Sequence, residues 1–223
     1  MPIDADGNVF LGNDEIGENK SGAEGNVAVG NDAMRHIVSG DNNVAIGNQA
    51  MNSITTGGKS IALGFQALLT AEAPGGNIGI GYQALKDTTI GYNNTAVGIN
   101  AGDRIISGDF NIGIGADSLA GQITGNSNIG IGQYTLENNV GGNQNVAIGD
   151  NALNDNTEGD HNIGIGSGAG DKIKTSSYNI AIGHHSLGGE ANSENISIGY
   201  ESQTYSTGYG NTTIGTGSMK ENT

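Results

Sequence analysis

The chain has 223 residues, of which 41 are Gly and two are Pro, with no Cys and no Trp. That glycine share, with aromatics at 4%, excludes a conventional core of large side chains. A formal charge of −15 excludes the cationic chemistry that nucleic acids and anionic membranes require. Zero Cys removes disulfide frameworks and thiolate metal sites, and the lack of a Gly-X-Y period removes collagen. No stretch approaches the roughly 20 apolar residues of a membrane span.

Residues 1–7 form a short lead, with neither the basic nor the apolar region of a secretory signal. A single repeat array then fills 8–219, and 220–223 are a tail. Its ruler is the Gly closing each "NVAIG"-like pentad: Gly12, Gly30, Gly47 and so on to Gly183, Gly199 and Gly215. The first spacing is 18, the next nine are 17 and the last two are 16. Internal periods of this kind mark solenoids.

Within a repeat the first position is Asn, with Ser60 the exception. The column comprises Asn26, Asn43, Asn77, Asn94, Asn111, Asn128, Asn145, Asn162 and Asn179, and continues to both ends of the array. Val or Ile dominates the next position, followed by a small residue. An aliphatic then precedes the ruler Gly: Val29, Ile46, Leu63, Ile80, Val97, Ile114, Ile131, Ile148, Ile165 and Ile182. This alternation is the period-two signature of a strand, not the three-and-four spacing of a helix. The reading is a strand whose bulky face (Val44, Ile46) forms the aliphatic core column and whose small face (Ala45, Gly47) admits a second backbone. Ala or Ser and then Leu or Met follow three and four residues after the Gly, as at Ala67 and Leu68. Val38, Thr55, Thr89, Ile106, Ile123, Val140 and Thr157 suggest a second strand. The Gly ten residues after the ruler, such as Gly40, Gly91 and Gly142, suggests a turn.

Strand, turn, strand, turn in 17 residues closes one coil of an all-β parallel solenoid, or β-roll, of about thirteen coils. Coils stacked at the interstrand spacing of about 4.8 Å give a rod of roughly 60 Å. They also place the Asn side chains in a ladder of amides. The few sizeable aliphatics per coil do not offset the ordering of 17 residues, which predicts a homo-oligomer.

The units "NVAIGNQAM", "NIGIGYQAL" and "NVAIGDNAL" resemble the head repeats of trimeric autotransporter adhesins. In period as well as motif, as at Asn94–Gly98, they are similar to repeats of bacteriophage tail-fibre proteins. The resemblance covers almost the whole chain. It implies a left-handed homotrimer, a virion tail-fibre location and a structural role in host attachment, without cofactors. The alternatives are a bacterial surface adhesin head and a self-stacking filament. An autotransporter carries a signal peptide and a C-terminal membrane barrel, so the start and end of this chain favour the phage reading. The expected partners are other copies of the chain, fibre or baseplate proteins at the ends, and a host-surface glycan or protein. Nucleic acid and membrane insertion are not expected.

No enzyme is expected. Ile46–Met51 fits one hexapeptide of left-handed β-helix acyltransferases, but Asn52 and Lys86 break the six-residue period, and His36, His161, His184 and His185 are scattered. Asp41, Asp109 and Asp160 offer oxygens of the kind Ca²⁺ prefers, yet most repeats lack the Asp, so they read as solvated turn acids. His184-His185 as a transition-metal site ranks lower. Glycoside cleavage would need a carboxylate pair across a cleft, and no acid pair stands out. Aromatics occupy variable positions, among them Phe65, Tyr82, Tyr92, Phe110 and Tyr178. Tyr200, Tyr205 and Tyr209 cluster where the period shortens and are candidate receptor contacts or an end cap. The atypical first repeat, with Phe10 and the charges of Glu15 and Glu18, and the final Met219-Lys220 suggest ends that dock or stack.

Overall fold

Each pentad forms a three-residue strand, and its ruler Gly ends it. A computed structural model describes residues 4–12, 21–71, 75–190, 192–204 and 208–219. Its strands are β1 (Val9–Leu11), β2 (Val27–Val29), β3 (Val44–Ile46), β4 (Ile61–Leu63), β5 (Ile78–Ile80), β6 (Thr95–Val97) and β7 (Ile112–Ile114). They continue with β8 (Ile129–Ile131), β9 (Val146–Ile148), β10 (Ile163–Ile165), β11 (Ile180–Ile182), β12 (Ile196–Ile198) and β13 (Thr212–Ile214). The chain divides into two compact units, Met1–Phe110 with β1 to β6 and Asn111–Thr223 with β7 to β13. Within each, successive strands pair in parallel and in register, Val44 beside Ile61 and Ile163 beside Ile180. The fold is an all-β parallel solenoid. Glu15, Glu18, Tyr205 and the tail 220–223 lie outside the described residues.

The two faces of the strand are the reverse of the expectation. Ala28, Ala45, Ala62, Ala96, Ala147 and Ala181, the central residues, are fully buried. The column Val29, Ile46, Leu63, Ile80, Val97, Ile114, Ile131, Ile148, Ile165 and Ile182 faces outward instead of forming the core, and six of its members are 37–42% exposed. The reason is volume. Met34, Met51, Leu68, Leu85, Leu119, Leu136, Leu153 and Leu187 enter the coil from the following turn and are fully buried. They lie directly on the strand centre: a Cβ at Gly164 would sit 2.9 Å from Leu153 Cγ. One Leu or Met and two small residues, such as Ala45 with Ala50, joined in several coils by Ile37, Ile54, Ile105 or Ile173, fill the interior. The outer column has no room inside.

The second strand does not form. Those segments are turns, with isolated bridges at Ile105 and Ile123. They still bond coil to coil: Val38 N donates to Thr55 O at 2.9 Å and Thr157 N to Lys174 O at 2.8 Å. Gly in these columns answers to close approach. At Gly47, with φ 139, a Cβ would strike the carbonyl of Gly64, and at Gly91 it would sit 2.5 Å from Gly108 O. The small side that admits a second backbone is thus filled by the chain's own next coil.

The interior changes character along the second unit. Ser186, Ser197 and Ser202 hydrogen-bond to one another where the coils around β11 and β12 meet. Gln203 takes the core Leu position, fully buried, and accepts from Thr213 Oγ1 at 3.3 Å while its Nε2 has no partner.

Candidate interaction surface

The Asn column is fully buried from Asn8 to Asn195, with Ser60 in its one gap. Each amide does more than meet its neighbours. Asn128 Nδ2 donates to Asn111 Oδ1 at 3.1 Å and to Gly142 O at 2.8 Å, while its Oδ1 accepts from Asn145 N at 3.0 Å. Asn26, Asn43, Asn145 and Asn162 repeat the bond to the main-chain carbonyl 14 residues on. Asn77, Asn94 and Asn111 donate to Gly91, Gly108 and Gly125 in the same way. Asn179 Nδ2 meets Asn162 Oδ1 at 3.1 Å and Ser177 O at 3.4 Å. One amide therefore closes its own coil and grips the coil before and after.

A second polar ladder, not anticipated from the sequence, runs two residues earlier. Asp41 Oδ1 accepts from Glu24 N, Asp109 Oδ1 from Tyr92 N and Asp160 Oδ1 from Asn143 N, at 2.9, 2.7 and 2.7 Å. Asn143, Ser177 and Ser193 fill the same role in other coils. These acids cap main-chain N–H groups, and this gives the turn Asp a structural use. A third ladder links Gln49, Gln66 and Gln83 amide to amide at 2.8 Å. Its sequence signal is a polar residue two after the ruler Gly, held at positive φ in each case.

Aromatic side chains pair on the surface. Phe65 stacks on Tyr82 with centroids 5.3 Å apart, and His161 on Tyr178 at 4.9 Å. His184 stacks on Tyr200 at 5.4 Å and meets His185 edge-on at 4.2 Å. Tyr200 and Tyr209 are exposed, at 50% and 71%. Among the described residues no three His, Asp or Glu converge as a metal site.

The largest chemical feature is the outer face of the strands. It carries two aliphatic columns in each unit, one opening and one closing every strand, with Thr95 and Thr212 interrupting the first. None of the described strand residues on it is buried, and none is charged. A contiguous apolar stripe on this scale marks an interaction surface. Asp103 and Asp171 stand apart from it, each with a buried Oδ1 that accepts no hydrogen bond, although Arg104 Nε lies 3.6 Å from that of Asp103. Burial raises the pKa of both carboxyls, against the attraction of Arg104 on Asp103 and of Lys172 and His185 on Asp171.

Comparison with family models, with curated proteins and with solved structures gives no match.

Proposed function

We propose that the chain is a non-enzymatic structural protein of a phage-like fibre, whose copies join through the outer aliphatic stripe into a homotrimeric shaft that supports host-surface attachment. The observation that carries the reading is the stripe itself: Ile114, Ile131, Ile148 and Ile165 face water in a single chain. Burying such side chains stabilises by roughly 25 cal/mol per Å². The occupant that best matches it is another copy, because ridges repeating at the interstrand spacing of about 4.8 Å mesh with ridges of the same period. A closed ring of identical contacts covers every stripe and leaves none open. The three-fold count and the fibre setting come from the repeat resemblance.

Light scattering with small-angle X-ray scattering tests the assembly. The expected mass is three times 22.5 kDa. The double variant Ile131→Glu/Ile148→Glu places charge on the stripe and should leave a folded monomer. A wild-type chain that is monomeric at micromolar concentration overturns the reading.

A further inference from the structure

We infer that the coil between β10 and β11 carries a binding site for a neutral saccharide, formed where Gly168 interrupts a side-chain ladder. This deepens the attachment reading and does not depend on how copies associate, since no residue of the site belongs to the apolar stripe. The segment Ser167-Gly168-Ala169-Gly170-Asp171-Lys172 departs from its neighbours at two columns. Gly168 stands where Gln49, Gln66, Gln83 and Asn151 project side chains, and Gly170 stands at the core Leu position.

The missing side chain at Gly168 leaves an open cavity of about 270 Å³. Asn151 and Asn154 from the preceding coil, Ser167, Asp171 and Lys172 from its own, and His185 from the next line it. His185 has leaned into the vacated space: a Cβ at Gly168 would lie 2.5 Å from its Nδ1. The cavity falls just below the roughly 300 Å³ at which pockets for drug-sized molecules begin, a size for one sugar ring.

Its chemistry selects against ions of either sign. One carboxylate and one ammonium face it, and the Lys172 ammonium is already held by Asp155 at 3.3 Å. An anion would meet Asp171 and the field of a chain with formal charge −15; a cation would meet Lys172. The Asn151 amide, the Ser167 hydroxyl and the His185 imidazole supply donors and acceptors around the cavity, the complement a neutral polyol requires, while the Asn154 amide is held by Tyr134 O and Glu137 Oε2 and shapes the wall. Beyond His185 the wall continues through His184 onto the exposed ring of Tyr200. That flat face suits the C–H side of a second sugar ring.

The test is an array of neutral mono- and oligosaccharides with sialylated and phosphorylated members, followed by calorimetry on the best binder. The decisive variant is Gly168→Gln, which fills the cavity with the side chain that the fold holds at φ 54–58 in the equivalent positions 49, 66 and 83. It must push aside the His185 ring, which lies 2.5 Å from the Cβ position, and is expected to keep the wild-type mass and to lose saccharide binding at least tenfold, with Tyr200→Ala weakening oligosaccharides more than monosaccharides. Binding of neutral sugars that survives Gly168→Gln overturns the site, as does a wild-type chain that binds none. Preference for the charged members overturns the ligand class. Should Gly168→Gln lower the thermal midpoint, Asp171→Asn takes its place, with the same loss expected and unchanged binding again overturning the site. The solution mass reports on assembly separately.

Discussion

Asn145 shows what a single side chain contributes here. It donates to Asn128 Oδ1 and to Gly159 O, and accepts from Asn162 N at 2.8 Å, all in a buried column. Asn145→Ala leaves the main-chain N–H of Asn162 without a partner, while Gly159 O keeps the bond that Asn156 Nδ2 donates at 3.0 Å. One orphaned buried group costs about 1–3 kcal/mol, so a loss of about 2 kcal/mol in urea unfolding is expected. Asn145→Ser should lose less, because Ser60 Oγ already accepts from Asn77 N at 3.2 Å in the same column. Asp103 works in the opposite direction. Burial lifts its folded-state pKa above the ordinary value, with Arg104 pulling it down and Asp87 pushing it further up. A raised acid pKa means that the fold disfavours the carboxylate, so this group subtracts stability at neutral pH. That penalty is relieved as pH falls through the folded pKa towards 3.8. Asp103→Asn should therefore melt above wild type at pH 7, with the gap closing on acidification; an equal gain at every pH would remove ionisation as the cause.

At the scale of the strand, the informative comparison is between its two faces. Ala45 is fully buried and Ile46 is 39% exposed, though they are adjacent. Ala45→Leu overpacks the coil at about 1–3 kcal/mol, while Ile46→Ala should leave the stability of the isolated chain nearly unchanged and weaken association. Chemical denaturation of a monomeric background and sedimentation of the parent chain separate the two effects. The opposite pattern would put the aliphatic column back in the core. The period, the strands and the Asn column were all legible in the sequence, because each repeats at a fixed offset from a Gly. The inward face was not. Alternation reveals that a strand has two faces without saying which is inside, and the usual bias places β-branched residues inward. What decides is Leu68 or Leu153 reaching in from the turn at φ near 50, a backbone state that Leu rarely adopts and that no pattern of polarity announces. The second strand was read from β-branching at Val38 and Thr55. There the chain turns while keeping its inter-coil bonds, so composition outlived the extended conformation it usually signals. The cavity at Gly168 was not read from the sequence, because it follows only once Asn151 and His185 are known to flank that position from the coils on either side.

For the whole molecule the balance lies between apolar area and charge. No Asp, Glu, Lys or Arg falls within a described strand, so the formal charge of −15 is carried outside them. Association through the stripe buries uncharged surface, as the depletion of charge at interface centres leads one to expect. It also gathers several strongly acidic chains, and their mutual repulsion opposes the apolar gain. The two contributions respond differently to salt. The Debye length falls from roughly 30 Å at 0.01 M to 3 Å at 1 M, which removes most of the repulsion between turns and leaves apolar burial intact. Sedimentation velocity across that range should show the dissociation constant of the assembly falling as salt rises, with Ile131→Glu/Ile148→Glu monomeric throughout. An assembly that salt dissociates is held instead by ion pairs between turns, and the aliphatic stripe would then need another occupant.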